Sequence, residues 1–457
     1  MLFSGIPFLY YFLPVVLAAY FLLPKSCRNA VLLVSSLVFY GWGEPKYLVL
    51  MVLTIAVFYG CGLAMEKSGR KKCWLWAAVV FGVAMLGVFK YADFFISGFA
   101  AVTGLNISLL RLALPIGISF YTFQCISYVA DVYRGRVEAQ KSIVNFGAYV
   151  ALFPQLIAGP IVRYSDVDAQ LKERSTTLED ASAGARRFLA GLGKKVLIAN
   201  AFGVLIEAYR ASSEPSVLFA WMYAAAFMLQ IYFDFSGYSD MAIGLGRIFG
   251  FHFPENFRYP YLSSSVTEFW RRWHMTLGGW FRDYVYIPMG GNRVNRGRWV
   301  VNILTVWALT GLWHGAAWNF VLWGLLFAVL LMAEKWLPGL KKLPVGVSQL
   351  YVLTVVLFSF VLFNGAGISG AAQDMARMLG LGGIPAVTVQ SVYYLRSYGL
   401  LFLAAAIGAT PLPKVLAAKL PKKAAAVLEP VFLAGILLVC TAYLVDGSFN
   451  PFLYFRF

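Results

Sequence analysis

The sequence predicts an all-α, polytopic transmembrane helical bundle, and three observations carry that expectation. Of its 457 residues, 60% are hydrophobic, 17% aromatic and only 13% charged, against roughly 45–50% apolar and about 25% charged in an average soluble domain. The apolar residues gather into runs near the length of about 20 that a bilayer crossing requires. The basic excess, 38 Lys+Arg against 21 Asp+Glu, falls largely between those runs, which suits cytoplasmic loops better than nucleic-acid contacts. So little polar surface excludes a soluble globular protein, a disordered chain, a disulfide-stapled secreted domain and a free nucleic-acid binder. The lipid bilayer is the expected solvent.

Along the chain the candidate spans are 6–24, 29–43, 47–65, 73–90, 112–131, 146–162, 216–233, 299–313, 317–333, 350–364, 398–410 and 431–445. Several are short of a full crossing, so about ten or eleven true spans are expected, with re-entrant or tilted pieces besides. Met1 to Gly5 carries no positive charge and no small-residue cleavage site follows, so the first run is expected to remain as a spanning helix. No internal repeat and no Ser/Gly/Pro linker divides the chain, and 1–457 reads as one integral membrane domain. The loops at 25–28 (Lys25, Arg28) and 66–72 (Lys67, Arg70, Lys71, Lys72) are basic, whereas 44–46 balances Glu44 with Lys46. The two basic loops share a side of an alternating bundle, which places them in the cytoplasm and the N-terminus outside. The stretch 251–298 and the lead-in 163–186 are too polar to span, and 251–298 reads as interfacial or re-entrant structure. Cys27, Cys61, Cys73, Cys125 and Cys440 include no CxxC pair and read as inert thiols.

Chemistry concentrates around two of the three histidines, His252, His274 and His314. His314 sits in Gly311-Leu-Trp-His-Gly315-Ala-Ala-Trp-Asn319, between two apolar runs. Gly311 and Gly315 have the spacing that lets another backbone approach closely. A buried imidazole there is neutral at pH 7 and able to accept a proton. The alternative is a core histidine satisfied by a neighbour, but ionisable groups at membrane depth are rare and more often functional.

His274 lies in Ser265-Val-Thr-Glu268-Phe-Trp-Arg-Arg-Trp-His-Met-Thr-Leu277. Ser265 and Glu268 have capping-box spacing, so a helix is expected to begin there. Trp270, Trp273, His274 and Leu277 would then share one face, with Arg271 and Arg272 turned toward water, headgroups or an anionic ligand. An interfacial amphipathic helix explains the Trp/Arg division equally well, though not an imidazole on the apolar side. Arg282, Arg293, Arg296 and Arg298 extend a basic patch around the turn Met289-Gly-Gly-Asn-Arg293. It suits donor phosphates, such as those of coenzyme A or a phosphopantetheine arm, or else anchors to anionic lipid. Asp234 and Asp240, near the end of an apolar run, need cationic partners, and Arg247, Arg271 and Arg272 are candidates; a scaffolding role is favoured for both carboxylates. No HExxH and no i, i+3 or i+4 histidine pair occurs, so a metal site is not expected. There is no GxSxG elbow and no P-loop, and Gly244-Leu-Gly246 is too isolated to mark a nucleotide fold.

At these residues the sequence resembles the membrane-bound O-acyltransferase (MBOAT) family, in its bacterial polysaccharide- and alginate-acetylating branch. The likeness runs from Met-Leu-Phe-Ser4 and Phe39-Tyr-Gly-Trp42 through Pro115-Ile-Gly-Ile-Ser-Phe-Tyr-Thr-Phe-Gln124 and Phe153-Pro-Gln-Leu-Ile-Ala-Gly-Pro-Ile161. It continues through Asp234 to Asp240, Pro254-Glu-Asn-Phe257, Glu268 to His274, Trp280 to Tyr284, Tyr286 to Arg293 and Trp313-His-Gly315, and closes on Asn450 to Phe457. It departs at Leu362-Phe-Asn364-Gly, where the resemblance places an arginine after the phenylalanine.

The resemblance implies a multi-pass protein of the bacterial inner membrane with a central tunnel lined by His314 and His274. In that tunnel an acyl thioester from the cytoplasm meets an acceptor hydroxyl. His314 would act as base, and His274 would orient the donor or hydrogen-bond the oxyanion. Arg271, Arg272, Trp273, Arg282 and Asn319 are the candidate donor-binding residues, with Asp234, Asp240 and Trp313 as structural support. No bound cofactor is expected, and acetyl-CoA or an acyl carrier is the donor. A periplasmic SGNH-hydrolase-like acetyltransferase is the expected partner. D-alanyl transfer and passive carrier transport are the competing readings, though no repeat of the kind transporters show is visible.

Overall fold

The computed structural model describes residues 2–337, 339, 343–447 and 453, and every regular element among them is helical. The closing Asn450 to Phe457 motif therefore lies, apart from Leu453, outside the described residues. Among the described residues, seven helices are long and apolar enough to cross a membrane, or eight if the bent pair Val389–Gly408 and Leu412–Ala418 is one span. The protein is thus a multi-pass all-helical membrane protein, with fewer full-length spans than the apolar runs suggest. Some runs form short helices, such as Arg28–Gly43 and Ile118–Tyr133. The run 146–162 is cut into Ile143–Ala151 and Phe153–Leu156, the second with Pro154 in its first turn. Arg296–His314 has the length of a span without the hydropathy.

The structure also adds a span absent from the candidate runs, Leu178–Ala211. Arg186, Arg187, Lys194 and Lys195 dilute its apolar signal. Arg187 is neutralised by Asp240 at 2.9 Å and Glu255 at 2.5 Å, and Lys195 by Asp234 at 2.6 Å. Internal pairing lets a charged helix occupy apolar surroundings. The run 216–233 likewise continues to Ile248, so Asp234 and Asp240 lie inside a helix of 32 residues rather than near its end.

The chain divides into two compact units, 1–188 with 238–255, and 189–237 with 256–457. The first is built on helices Arg28–Gly43, Leu48–Lys67, Lys71–Leu86 and Ile118–Tyr133. Its core includes Phe3, Phe8, Phe39, Phe153 and Tyr238, with Phe3 stacked on Tyr238 at 4.7 Å. A polar knot ties its loops: Arg174 donates to the Tyr20 hydroxyl, the Phe249 carbonyl and Asn29 Oδ1.

The second unit is organised by a tight hairpin of Arg296–His314 and Trp318–Trp336, against which Val345–Asn364 packs. A Cβ on Gly311 would run into the Phe320 carbonyl, and one on Gly324 into that of Trp307. The close approach expected at Gly311 thus occurs, and the approaching backbone is that of the next helix. Helix Lys422–Val445 is almost wholly exposed along its apolar length, a surface that only lipid or another apolar partner can solvate.

Candidate active site

Both candidate histidines belong to the second unit, and different local structures present them. His314 is the last residue of helix Arg296–His314, 5% exposed. The chain reverses at Gly315, where a Cβ would strike the Phe320 ring. Three aromatic rings frame the imidazole edge-on: Trp313 at 4.9 Å, Trp323 at 5.1 Å and Phe363 at 5.4 Å.

His274 overturns the expectation of one continuous helix from Ser265. The start is as expected, with Ser265 Oγ accepting from the Glu268 N–H at 3.0 Å, but the Glu268 carboxylate accepts from Ser264 rather than closing the box on Ser265. That helix ends at Arg272, His274 adopts a left-handed backbone with φ 43°, and a second helix runs Met275–Phe281. The segment around Asn256 is what makes the break affordable. The Arg258 N–H donates to the Arg272 carbonyl at 2.9 Å, and the Met275 N–H donates to the Asn256 carbonyl at 2.9 Å. Asn256 Oδ1 accepts from the Thr276 N–H at 3.3 Å and its hydroxyl at 2.9 Å. Groups that an unbroken helix would satisfy itself are satisfied by this neighbouring strand of chain. A non-glycine residue in the left-handed region is strained, and such strain gathers at functional sites.

The break separates two residues expected on one face. Trp273 turns into an aromatic core with Phe257, Tyr261, Phe269 and Phe360. His274, 2% exposed, borders a cavity of 190 Å³ that is also lined by Trp270, Phe281, Arg282, Tyr286 and Thr310. Its Nδ1 lies 3.0 Å from Asn256 Oδ1, and Phe235 meets its ring edge-on at 4.6 Å. Burial holds its imidazole well below the usual histidine range, and nearby His314 acts in the same direction. Trp313 joins the two histidines, 5.7 Å from the His274 ring and 4.9 Å from that of His314.

The remaining candidates divide. Arg282, with its side chain 65% exposed, also lines the cavity and pairs with Asp283 at 2.7 Å. Arg271 is exposed, and Arg272 pairs with Glu268 at 2.5 Å; neither lines the cavity. Asn319 is buried and donates to the Phe363 carbonyl at 3.2 Å. Asp234 binds Lys195 and accepts from the Leu453 N–H at 2.9 Å, while Asp240, in the first unit, binds Arg187. These replace the arginine partners expected for both carboxylates, since Arg247 pairs with Asp180 and Arg272 with Glu268. Asn364 donates to the Tyr223 hydroxyl at 2.9 Å, and Arg210 reaches that same hydroxyl from helix Asn200–Ala211. His252 is exposed in the first unit.

Two supporting residues escape the sequence reading. Asn256 is in a quoted motif, but only the fold brings it to His274. Glu334, buried near the end of an apolar helix, accepts from the Val266 N–H at 2.5 Å, the Thr267 N–H at 2.9 Å and the Thr267 hydroxyl at 2.7 Å. It thereby anchors the N-terminus of the helix leading to His274. A lone carboxylate in an apolar run was the available signal.

An all-helical membrane fold, with buried His274 lining an apolar cavity and buried His314 joined to it through Trp313, defines a candidate for acid–base chemistry. Residues 139–369 match the membrane-bound O-acyltransferase family model. The chain belongs to that family and is an O-acyltransferase. It is 41% identical to the probable alginate O-acetylase AlgI of Azotobacter vinelandii, over 84% of this chain and 79% of that protein. The peptidoglycan O-acetyltransferase of Helicobacter pylori is 33% identical over 84% of this chain and 81% of its own length. The teichoic acid D-alanyltransferase of Bacillus subtilis is 30% identical over 56% of this chain and 68% of its own.

Proposed function

We propose that the protein is a bacterial inner-membrane acetyltransferase that serves O-acetylation of an extracytoplasmic polysaccharide. It takes acetyl from a thioester donor at the cytoplasmic face, and a periplasmic SGNH-like acetyltransferase completes delivery. The N-terminus lies outside, with the basic loops at 25–28 and 66–72 in the cytoplasm. The observation that carries the reading is the cavity lined by both exposed Arg282 and buried His274. Its 190 Å³ is below the roughly 300–1,000 Å³ of pockets that enclose a drug-sized ligand. A slender thioester-bearing arm suits it, with the bulky, phosphate-bearing remainder left outside near Arg282, Arg293, Arg296 and Arg298.

In this reading the acceptor hydroxyl oxygen attacks the thioester carbonyl carbon and the carbon–sulfur bond breaks. His314 takes the hydroxyl proton and returns it to the departing thiolate. General acid–base assistance of this kind is worth about 10²–10⁴-fold. Water exclusion and substrate alignment in a dry channel add to it. Arg282 holds the donor's anionic end, with Asp234, Asp240 and Trp313 as framework.

The likeness to a teichoic acid D-alanyltransferase keeps a second acyl group in view, since the same chemistry serves a D-alanyl carrier. Supplying labelled acetyl-CoA and D-alanyl carrier protein side by side to purified protein decides it. Consumption of the acetyl thioester is expected. Consumption of the D-alanyl thioester alone overturns the acetyl assignment, and movement of either carrier without thioester cleavage overturns the enzyme.

A further inference from the structure

We infer that Asn256 holds His274 as its Nδ1–H tautomer, so that the ring offers Nε2 as a proton acceptor. The Thr276 N–H can only donate, and it is directed at Asn256 Oδ1, 3.3 Å away. Were the amide turned over, its NH₂ would oppose that donor, so the network fixes the atom as oxygen. The same oxygen lies 3.0 Å from His274 Nδ1. A carbonyl oxygen only accepts, so Nδ1 carries the hydrogen. A neutral imidazole has one N–H, which leaves the lone pair on Nε2.

The surroundings suit a neutral ring. Asn256 and Thr276 are uncharged, and Phe235 and Trp313 pack against the imidazole. His314, at the end of its own helix, is the titratable group that acts on it. Arg272, in the adjoining helix, is engaged by Glu268, and Arg282, which also lines the cavity, by Asp283.

This deepens the acyl-transfer reading and rests on it for its chemistry. A neutral His274 in this tautomer has no hydrogen on Nε2, so it cannot clamp the donor or an oxyanion by donating from that atom. It accepts instead. As the hydroxyl oxygen bonds to the acetyl carbon and the thiolate leaves, the proton released from the hydroxyl passes to the imidazole pair and from there to sulfur. Nε2 of His274 is an atom of that pair able to carry it, and Asn256 is its positioning residue.

Two measurements test this, and the first needs no turnover. The chain contains three histidines, so ¹⁵N-histidine-labelled protein in lipid nanodiscs gives a spectrum that His252→Gln and His314→Gln assign by elimination. Near pH 7.5 the His274 signals should show a protonated Nδ1 and a bare Nε2; the reverse pattern overturns the inference, whatever the protein acylates. Asn256→Leu should let the Nε2–H form appear, while Asn256→Asp, which keeps an acceptor oxygen, should retain the original tautomer. The second measurement follows thiol release with acetyl-CoA as probe. Asn256→Leu should lower kcat by about 10–100-fold, as loss of a group that orients a functional imidazole does, and Asn256→Asp should restore most of it. A carboxylate beside the ring favours imidazolium, so the acid limb of the Asn256→Asp profile should move to higher pH. A limb that stays in place overturns the use of Nε2 as a proton acceptor. Failure of the unmodified protein to consume acetyl-CoA would count against the proposed donor and leave the tautomer measurement intact.

Discussion

The two imidazoles of the second unit sit in different local frames. His274 is positioned by polar contacts: a break between two short helices, a left-handed backbone and the Asn256 carbonyl oxygen on its Nδ1. His314 is framed by shape, at the end of a long helix that three glycines let pack tightly against its successor, among the rings of Trp313, Trp323 and Phe363. Hydrogen bonds specify which ring atom carries a proton, whereas packing specifies where the ring sits. A site that must move a proton between fixed substrates needs both kinds of control.

The largest expected effect tests whether the His314 imidazole carries the chemistry. His314→Ala should lower thioester turnover by about 10²–10⁴-fold with unchanged folding, measured as thiol release by protein of wild-type thermal stability. Turnover within a few-fold of wild type would break the comparison by leaving His274 to act alone. Next comes the hairpin. Gly311→Ala places a methyl against the Phe320 backbone, which cannot yield as a side chain can. Forced overpacking costs about 1–3 kcal/mol, and turnover should fall with stability because His314 rides on the displaced helix. Gly399→Ala, where a Cβ meets nothing within 4 Å, is the control and should leave both unchanged. Equal behaviour of the two variants would show that close packing does not position His314.

This division also explains what was legible in the sequence. The apolar runs and the close approach at Gly311 are local signals, and each led to a feature the structure contains. The span Leu178–Ala211 was hidden because its charges are neutralised by residues far away in sequence, Asp234 for Lys195 and Asp240 for Arg187. The break at His274 was hidden for the same reason. Helical periodicity over Trp270, Trp273, His274 and Leu277 is real, but Asn256 and Arg258 supply the hydrogen bonds that make two helices preferable to one. Long-range polar pairing leaves no periodic trace.

A smaller effect probes the polar side of the comparison. Glu334→Gln keeps the volume but removes the charge from an oxygen pair that accepts from Val266 and Thr267. Hydrogen bonds to charged groups contribute about 1.5–3 kcal/mol, and a cost toward the lower end is expected because glutamine retains one acceptor. Thermal unfolding in detergent reads the loss. The informative comparison is with Gly311→Ala at matched stability. Glu334→Gln should disturb His274 and leave the His314 signal in the ¹⁵N-histidine spectrum in place, whereas Gly311→Ala should shift His314 first. A common shift of both rings in both variants would mean that the two are held as one unit.

The smallest expected effect lies at an exposed residue of the cavity lining. Arg282 is 65% exposed and already paired with Asp283, so its charge is well screened, and exposed pairs contribute only about 0–1 kcal/mol. Arg282→Ala should therefore leave folding and both histidine signals unchanged. If the guanidinium meets a donor phosphate, the variant should raise KM for acetyl-CoA several-fold with little change in kcat, the signature of binding lost equally from ground and transition states. The KM effect should shrink as salt is raised, because screening already weakens a surface contact of this kind. A fall in kcat at constant KM would place Arg282 with the reacting atoms instead, and the cavity would then have to be read as holding the acyl group near Arg282 rather than beside His274.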